Sequence, residues 1–171
     1  CLGLNVSDTW QAVCEGRSGI GPIDTYDPSD LPVRIAGLVK GFDITDFWTE
    51  KDAKRVDVYA QYALAAAKEA VNQANLVIDD SNADRVGITI GSGIGSIGSI
   101  EAPHTVLLEK GAKRVSPFFV TAAISNMASG LLSILLKAKG PNFRITSACT
   151  SGTHSIGLAA RMIAYGDADV M

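Results

Sequence analysis

The sequence predicts an α/β protein, on three observations. Alanine-rich runs with apolar residues three and four apart alternate with short runs rich in β-branched residues. Two of those short runs lead straight into a glycine-rich stretch or a helix start. Glycine is abundant, at 17 residues, while aromatics make up only 6%, which suits closely packed helices and tight strand–helix turns. At 171 residues the chain is long enough for one domain with a sizeable core. No repeat, low-complexity segment or linker divides it, so residues 1–171 are read as one domain.

Along the chain, Ser7-Asp8-Thr9 and then Trp10-Gln11-Ala12-Val13-Cys14-Glu15-Gly16 predict a short capped helix ended by Gly16. Residues 17–45 are rich in Gly, Pro and Asp and predict loop with short strands, chiefly over 33–39. A strong helix is predicted over 57–75. There Val58, Tyr62, Ala65, Ala66, Glu69 and Val71 recur at helical spacing in an alanine-rich run. Val86-Gly87-Ile88-Thr89-Ile90 predicts a buried strand that enters the glycine-rich stretch 91–98. Pro103 is expected to interrupt any helix after that stretch.

A further helix is expected from Ser125 or Asn126 to Lys137, stopped by Lys139 and Gly140-Pro141. A strand over 143–148 and a helix over 151–165 come next. Ile156, Ala159, Ala160, Ile163 and Ala164 share one face of that helix, and Gly166 ends it. Asp169-Val170-Met171 begins what reads as another strand. The chain thus stops at a strand start, and no strand precedes its first helix. Both ends are therefore expected to be cut, and the natural protein to be longer.

Composition excludes several classes. Apolar residues reach 47% and charged residues 19%, so the chain is not disordered. A net charge of −3 argues against nucleic acid as partner, since phosphate neutralisation needs a basic excess. No apolar run approaches a membrane span, and no signal peptide is visible. The three cysteines, at 1, 14 and 149, form no C-x-x-C pair, which argues against a zinc site. An odd count without a secretory signal points to reduced thiols in the cytoplasm.

Cys149 stands apart from the other two. Ile145-Thr146-Ser147-Ala148-Cys149-Thr150-Ser151-Gly152 places it between a strand and a helix. Free N–H groups at the helix start favour a thiolate and can bind the oxyanion formed when a carbonyl is attacked. Small neighbours leave room for a substrate. Position alone leaves a buried structural cysteine equally open, because free Cys is among the most buried residue types. A nucleophilic cysteine needs a partner, and the chain has only His104 and His154. His154 is five residues past Cys149 on the same helix and points away from the thiol. His104 comes after Pro103 in a segment read as irregular. Both are read as structural, so the catalytic histidine is expected outside these residues.

The segment Thr146-Ser147-Ala148-Cys149-Thr150-Ser151-Gly152-Thr153-His154-Ser155-Ile156-Gly157 resembles the active-site motif of β-ketoacyl-acyl carrier protein synthases, and the likeness continues from Ala160 to Val170. It is closest to the type II, long-chain-elongating synthases of bacterial fatty-acid synthesis. Ile90-Gly91-Ser92-Gly93-Ile94-Gly95, Val115-Ser116-Pro117-Phe118-Phe119-Val120 and the stretch from Trp10 to Gly19 look like further family motifs, in the family's order.

The resemblance implies a thiolase-like layered α/β/α/β/α fold of two similar halves, with this chain as the first. It implies that Cys149 accepts an acyl group from a carrier thioester. Two histidines and a lysine of the second half then support decarboxylation of malonyl-carrier and condensation, so the fragment alone is expected to be inactive. Ile94, Phe119, Val120 and Ala148 match acyl-pocket positions, with Phe119 reaching the pocket of a partner subunit. Lys51, Lys54 and Arg55, extended by Lys113 and Arg114, match a patch that meets acyl carrier protein. A homodimer is implied, formed through the strand before the nucleophile, and neither metal nor cofactor. Taken singly, the apolar residues also read as core and the basic ones as a solvated face.

Three rivals remain. Gly93-Ile94-Gly95-Ser96-Ile97-Gly98 is a literal G-x-G-x-x-G after a predicted strand, the dinucleotide fingerprint. Pro103, and the lack of an acidic ribose ligand about twenty residues on, count against it. The others are a thiolase-fold acyltransferase acting on coenzyme A thioesters and a non-catalytic carrier-binding subunit. Relatives of the last kind usually lack the cysteine.

Overall fold

The computed structural model describes residues 1–53 and 56–171, which form two compact units, Cys1–Asp43 and Ile44–Met171. In the first unit, helix α1 (Val6–Cys14) precedes two short antiparallel strands, β1 (Gly21–Pro22) and β2 (Ile35–Ala36). The helix opens earlier than its sequence suggests. Asn5 is the N-cap, its side chain accepting from the Asp8 N–H at 2.8 Å while its amide donates to the Asp8 carboxylate at 2.8 Å. The first bond satisfies one free N–H of the helix start, and the second holds the Asn5 side chain in place. Gly16, with φ +65°, turns the chain out of the helix as expected.

The second unit carries helices α2 (Glu50–Ala53) and α3 (Val58–Gln73), strand β3 (Ile88–Gly91), and helices α4 (Gly98–Lys110), α5 (Phe119–Ala123) and α6 (Met127–Leu136). Strand β4 (Asn142–Ile145) and helix α7 (Ser151–Ala164) complete it. Pro103 lies inside α4 and does not interrupt it. In the second turn it removes one backbone bond, and the helix continues on the remaining bonds for seven residues. His104 is therefore helical rather than irregular. Lys137 ends α6 in the left-handed region, with φ +57°.

β3 and β4 are parallel, with Ile88 opposite Asn142 and Gly91 opposite Ile145. Both α6 and α7 pack on this pair, and α3 packs on α6. The core gathers Leu64 of α3, Val86 and Ile88 at β3, Leu132 of α6 and Ala138. Leu132 is 1% exposed. Helix α3 forms where expected, but Ala60 and Leu64 are the residues buried, while Val58 and Tyr62 of the expected periodic set are 48% and 38% exposed.

At the far end of the sheet Val170 bridges Val86 in parallel, as the strand-like reading of 169–171 anticipates. Arg85 secures this junction. Its guanidinium donates to the Gly166 carbonyl at 2.8 Å and to the Asp169 carboxylate at 2.7 Å. The side-chain bond from Arg85 holds the Asp169 carboxyl below its ordinary range. Because the folded-state value is the lower one, this tie stabilises fully above about pH 4 and is lost as pH falls through the depressed value. Asp169→Asn should lower the thermal midpoint at pH 7 and reduce the loss of stability on acidification; equal acid sensitivity in both proteins would refute the tie's role.

Candidate active site

Parallel strands that stop level leave a crevice at their carboxyl ends, the usual place for a site in an α/β sheet. Here Ser92 N–H donates to the Ile145 carbonyl at 3.2 Å, and both chains then leave the sheet. Strand β4 ends at Ile145, three residues before the expected limit. The reason is local. Ala148 has φ +51°, a left-handed conformation that cannot continue a strand. One 3-10 turn, Ala148–Thr150, then leads into α7. Cys149 sits in this turn, exposed, with a free thiol. Within these residues, therefore, Cys149 is not buried. Cys1 and Cys14, in the first unit, are also free and exposed.

A left-handed alanine costs on the order of 1–3 kcal/mol and persists only where its surroundings fix it. Ser151, 4% exposed, does part of this. Its hydroxyl accepts from the Ser147 N–H at 3.0 Å and donates to the Ala148 carbonyl at 2.7 Å. The Thr150 N–H donates to the Ser147 carbonyl at 3.1 Å. His154 Nδ1 lies 2.7 Å from Ser147 Oγ. As its spacing implies, His154 is engaged by hydrogen bonding beside the turn.

The glycine-rich stretch lies against the cysteine turn. A methyl on Gly91 would overlap the Ser151 carbonyl and come within 2.7 Å of the Gly152 nitrogen, so only glycine lets α7 start this close. One on Gly93 would meet the Ala148 carbonyl at 3.8 Å. Arg144 fixes this stretch from β4. Its guanidinium donates to the carbonyls of Ser92 at 2.7 Å and Gly93 at 3.3 Å, and also bonds the Ser125 hydroxyl. Thr146 Oγ1 donates to the Ser92 carbonyl at 3.2 Å.

The expected pocket residues are distributed unevenly. Ala148 is in the cysteine turn, and Ile94 comes after Gly93 with 67% exposure. Phe119 begins α5 and lines a cavity of about 440 Å³ with Val58, Ala102, Pro103, Phe118 and Ala122. Val120 is exposed and, like Ile94 and Ala148, does not line that cavity. Of the basic residues, Lys51 is exposed on α2, and Lys113 and Arg114 are exposed in the 3-10 turn Ala112–Arg114. Lys54 and Arg55 lie outside the described residues.

The G-x-G-x-x-G stretch does open a helix, so the proline argument against a dinucleotide fails. A stronger one replaces it. Asp57 caps α3 through the Tyr59 N–H at 3.3 Å, and its other oxygen accepts from the hydroxyls of Ser96 and Ser99, the latter at 2.9 Å. Ser96 Oγ in turn accepts from the Ser99 N–H at 2.9 Å. A carboxylate already complements the positive end of α4, where a pyrophosphate would have to bind. Among the described residues, no three His, Cys, Asp or Glu side chains group as a metal site, and no helix is long and apolar enough to cross a membrane.

Sequence reading missed Asp57, Arg144 and Ser151 as organisers of this region. Asp57 was visible as a cap before α3, but its bonds to Ser96 and Ser99 join residues about forty positions apart.

Across all 171 residues the chain matches the family model for the β-ketoacyl synthase N-terminal domain. The chain belongs to the β-ketoacyl synthase family. Among curated proteins it is 50% identical over 170 residues to 3-oxoacyl-[acyl-carrier-protein] synthase 2 of Vibrio harveyi, covering 99% of this chain and 41% of that protein. The protein of the same description from Synechocystis is 46% identical over 170 residues, with the same coverage. The chain thus spans about two fifths of the length of these synthases. Among solved structures, the ishigamide ketosynthase/chain length factor matches with TM-score 0.85 at 25% identity, covering 98% of this chain and 42% of that one. A β-ketoacyl synthase from Burkholderia phymatum matches with TM-score 0.81 at 26% identity, covering 98% and 41%. These likenesses bear out the thiolase-like fold, with this chain as its N-terminal half.

In this synthase domain, Gly91→Ala should cost about 1–3 kcal/mol by overpacking the sheet end. It should also slow alkylation of Cys149 by displacing the start of α7. Urea unfolding and timed iodoacetamide labelling check both; a stable variant with unchanged labelling would show that the close approach is unimportant.

Proposed function

We propose that this chain is the N-terminal part of a 3-oxoacyl-[acyl-carrier-protein] synthase II that elongates fatty acyl chains. The carrying observation is Cys149, exposed in a strained turn at the start of α7 and level with the strand ends. Identity of 46–50% over 170 residues to synthases of that description supports the same reading.

In the proposed reaction, Cys149 Sγ attacks the carbonyl carbon of an acyl-carrier thioester. The tetrahedral oxyanion is met by the Cys149 amide and a second donor from the rest of the protein. Collapse breaks the carrier's C–S bond, releases its thiol with a proton, and leaves the acyl group on Cys149. Malonyl-carrier then loses carbon dioxide. The resulting carbanion attacks the acyl-Cys149 carbonyl, and the Cys149 thiolate departs from a 3-oxoacyl-carrier product. Two histidines and a lysine outside this chain assist the decarboxylation, so the isolated chain does not condense. Ile94, Phe119, Val120 and Ala148 form part of the acyl pocket, completed by the other half and by a second subunit. Neither metal nor cofactor takes part, and the protein works in the cytoplasm.

Incubating the full-length protein with acyl-carrier thioester and mapping the adduct by mass spectrometry tests this reading. Acylation is expected at Cys149 and is lost in Cys149→Ala; acyl groups found on Cys14 instead would overturn it. Supplying the same acyl group on coenzyme A separates the thiolase-like alternative, which would prefer that donor.

Acyl carrier protein is the proposed partner. A matching solved structure pairs a type II polyketide synthase acyl-carrier protein with its ketosynthase, at TM-score 0.72 and 26% identity over 76% of this chain and 38% of that one. Lys51, Lys54, Arg55, Lys113 and Arg114 supply local positive charge in an acidic chain, which speeds association with an acidic partner. The proposed homodimer uses β4, which has only β3 beside it among the described residues, and is read by light scattering. Charge reversal at Lys51, Lys54 and Arg55 should raise the KM for carrier and flatten its salt dependence, while a small acyl thioester reacts normally. Unchanged carrier kinetics would remove the patch from the interface.

A further inference from the structure

Ala148 stays left-handed only if the residues before and after it are fixed. Three restraints act on the main chain, two through the Ser151 hydroxyl and one from the Thr150 N–H to the Ser147 carbonyl. A fourth acts on a side chain. His154 Nδ1 bonds Ser147 Oγ at 2.7 Å. Ser151 and His154 are three apart on α7, so they share a face, and that face meets Ser147. His154 thereby reaches the cysteine turn through Ser147.

Ser147 is the residue at which β4 stops being extended, with φ −150° and ψ 47°. Its φ is that of a strand and only its ψ departs. Released, Ser147 could relax into continued strand, which would take Ala148 out of the left-handed region and swing Cys149 off the start of α7.

Resting on the reading of Cys149 as nucleophile, we propose that Ser147 and His154 are a positioning pair: their hydrogen bond locks the Ala148–Cys149 turn onto α7 and presents the Cys149 thiol and amide to the acyl carbonyl. His154 acts through Ser147 and touches no reacting atom, so it is a positioning residue rather than a catalytic one.

The test uses the full-length protein and two readouts, the rate of iodoacetamide alkylation mapped to Cys149 and the kcat and KM of acyl transfer. Ser147→Ala and His154→Leu should each slow alkylation and lower kcat by about tenfold with little change in KM, as expected of a misoriented nucleophile. Ser147→Thr and His154→Asn keep a hydroxyl and an acceptor in place and should recover most of the loss. The double variant Ser147→Ala/His154→Leu should be no slower than the worse single, since both remove one bond. Wild-type alkylation in Ser147→Ala and His154→Leu, losses that multiply in the double, or equal slowing by Asn and Leu at 154 would each overturn the proposal. If Ser147→Ala does not fold, the two His154 variants decide alone. Alkylation needs neither carrier nor malonyl group, so failure of the protein to condense would refute the proposed function and leave this test standing.

Discussion

Parallel pairing of β3 with β4 brings Gly91 and Ile145 to the same level, and both chains must leave the sheet side by side. The geometry of the whole site depends on that constraint. The two exits would collide if both carried side chains, so one is glycine. Gly91 lets the first turn of α7 lie against the backbone of β3. The other exit must reverse within a few residues to start α7, and the left-handed Ala148 achieves this. Cys149 is thereby carried to the rim of the crevice rather than into the core. Its exposure is a consequence of the tight turn.

The same crowding explains the polar bonds around the sheet end. Carbonyls of Ser92 and Gly93, beyond the last rung of the ladder, need donors that the sheet no longer supplies. Arg144 of β4 and Thr146, just after it, supply them. One strand thus sets the position of the cysteine turn and the glycine-rich stretch together. Asp57 does comparable work between helices, joining the start of α3 to that of α4. Once its carboxylate occupies that end, the helix can no longer serve a phosphate, although the glycine spacing is unaltered. A G-x-G-x-x-G spacing reports backbone freedom, and the charge at the helix start determines its use.

How much the sequence discloses depends on the range of the interactions involved. Helices α3 and α7 were legible in extent because Asp57 and Gly166 sit at the boundaries expected of them, but the inward faces are Ala60 with Leu64 and Ser151 with Ser155, and Ile156 of the apolar face read on α7 is 73% exposed. Helix α4 was not, since Pro103 argues against it and its start is organised by Asp57, about forty residues away. The first helix begins earlier than Ser7 suggests because Asn5 is its cap, and Asn and Ser are comparable in that position. Strand β4 was drawn too long because nothing in Ser147-Ala148 signals a left-handed turn; alanine is an unusual residue there, and Ser151 and His154 stabilise it from outside the strand. The place of Cys149 between a strand and a helix was legible, because that junction is local. The Arg144 clamp was hidden, since its acceptors lie some fifty residues earlier.

The apolar surface around the site bears on what else must cover it. Ile94, Ile97 and Val120 are 67%, 53% and 57% exposed, Ile94 just after Gly93, Ile97 just before α4 and Val120 in α5. Apolar surface of this kind is costly when left free, at about 25 cal/mol for each Å² left in water. Left open, it would favour association with whatever apolar surface came first. A second half and a second subunit would cover it and would turn exposed residues into the wall of an acyl tunnel. On this reading, the exposure of Ile94 and Val120 is what a pocket completed from outside requires. A pocket closed within these residues would leave a long acyl chain nowhere to enter, whereas one closed by assembly can be wide at the Cys149 rim and narrow at the far end. The Cys149 turn is set by this chain's own hydrogen bonds, and on the same reading the depth of the pocket is left to the surfaces that meet it.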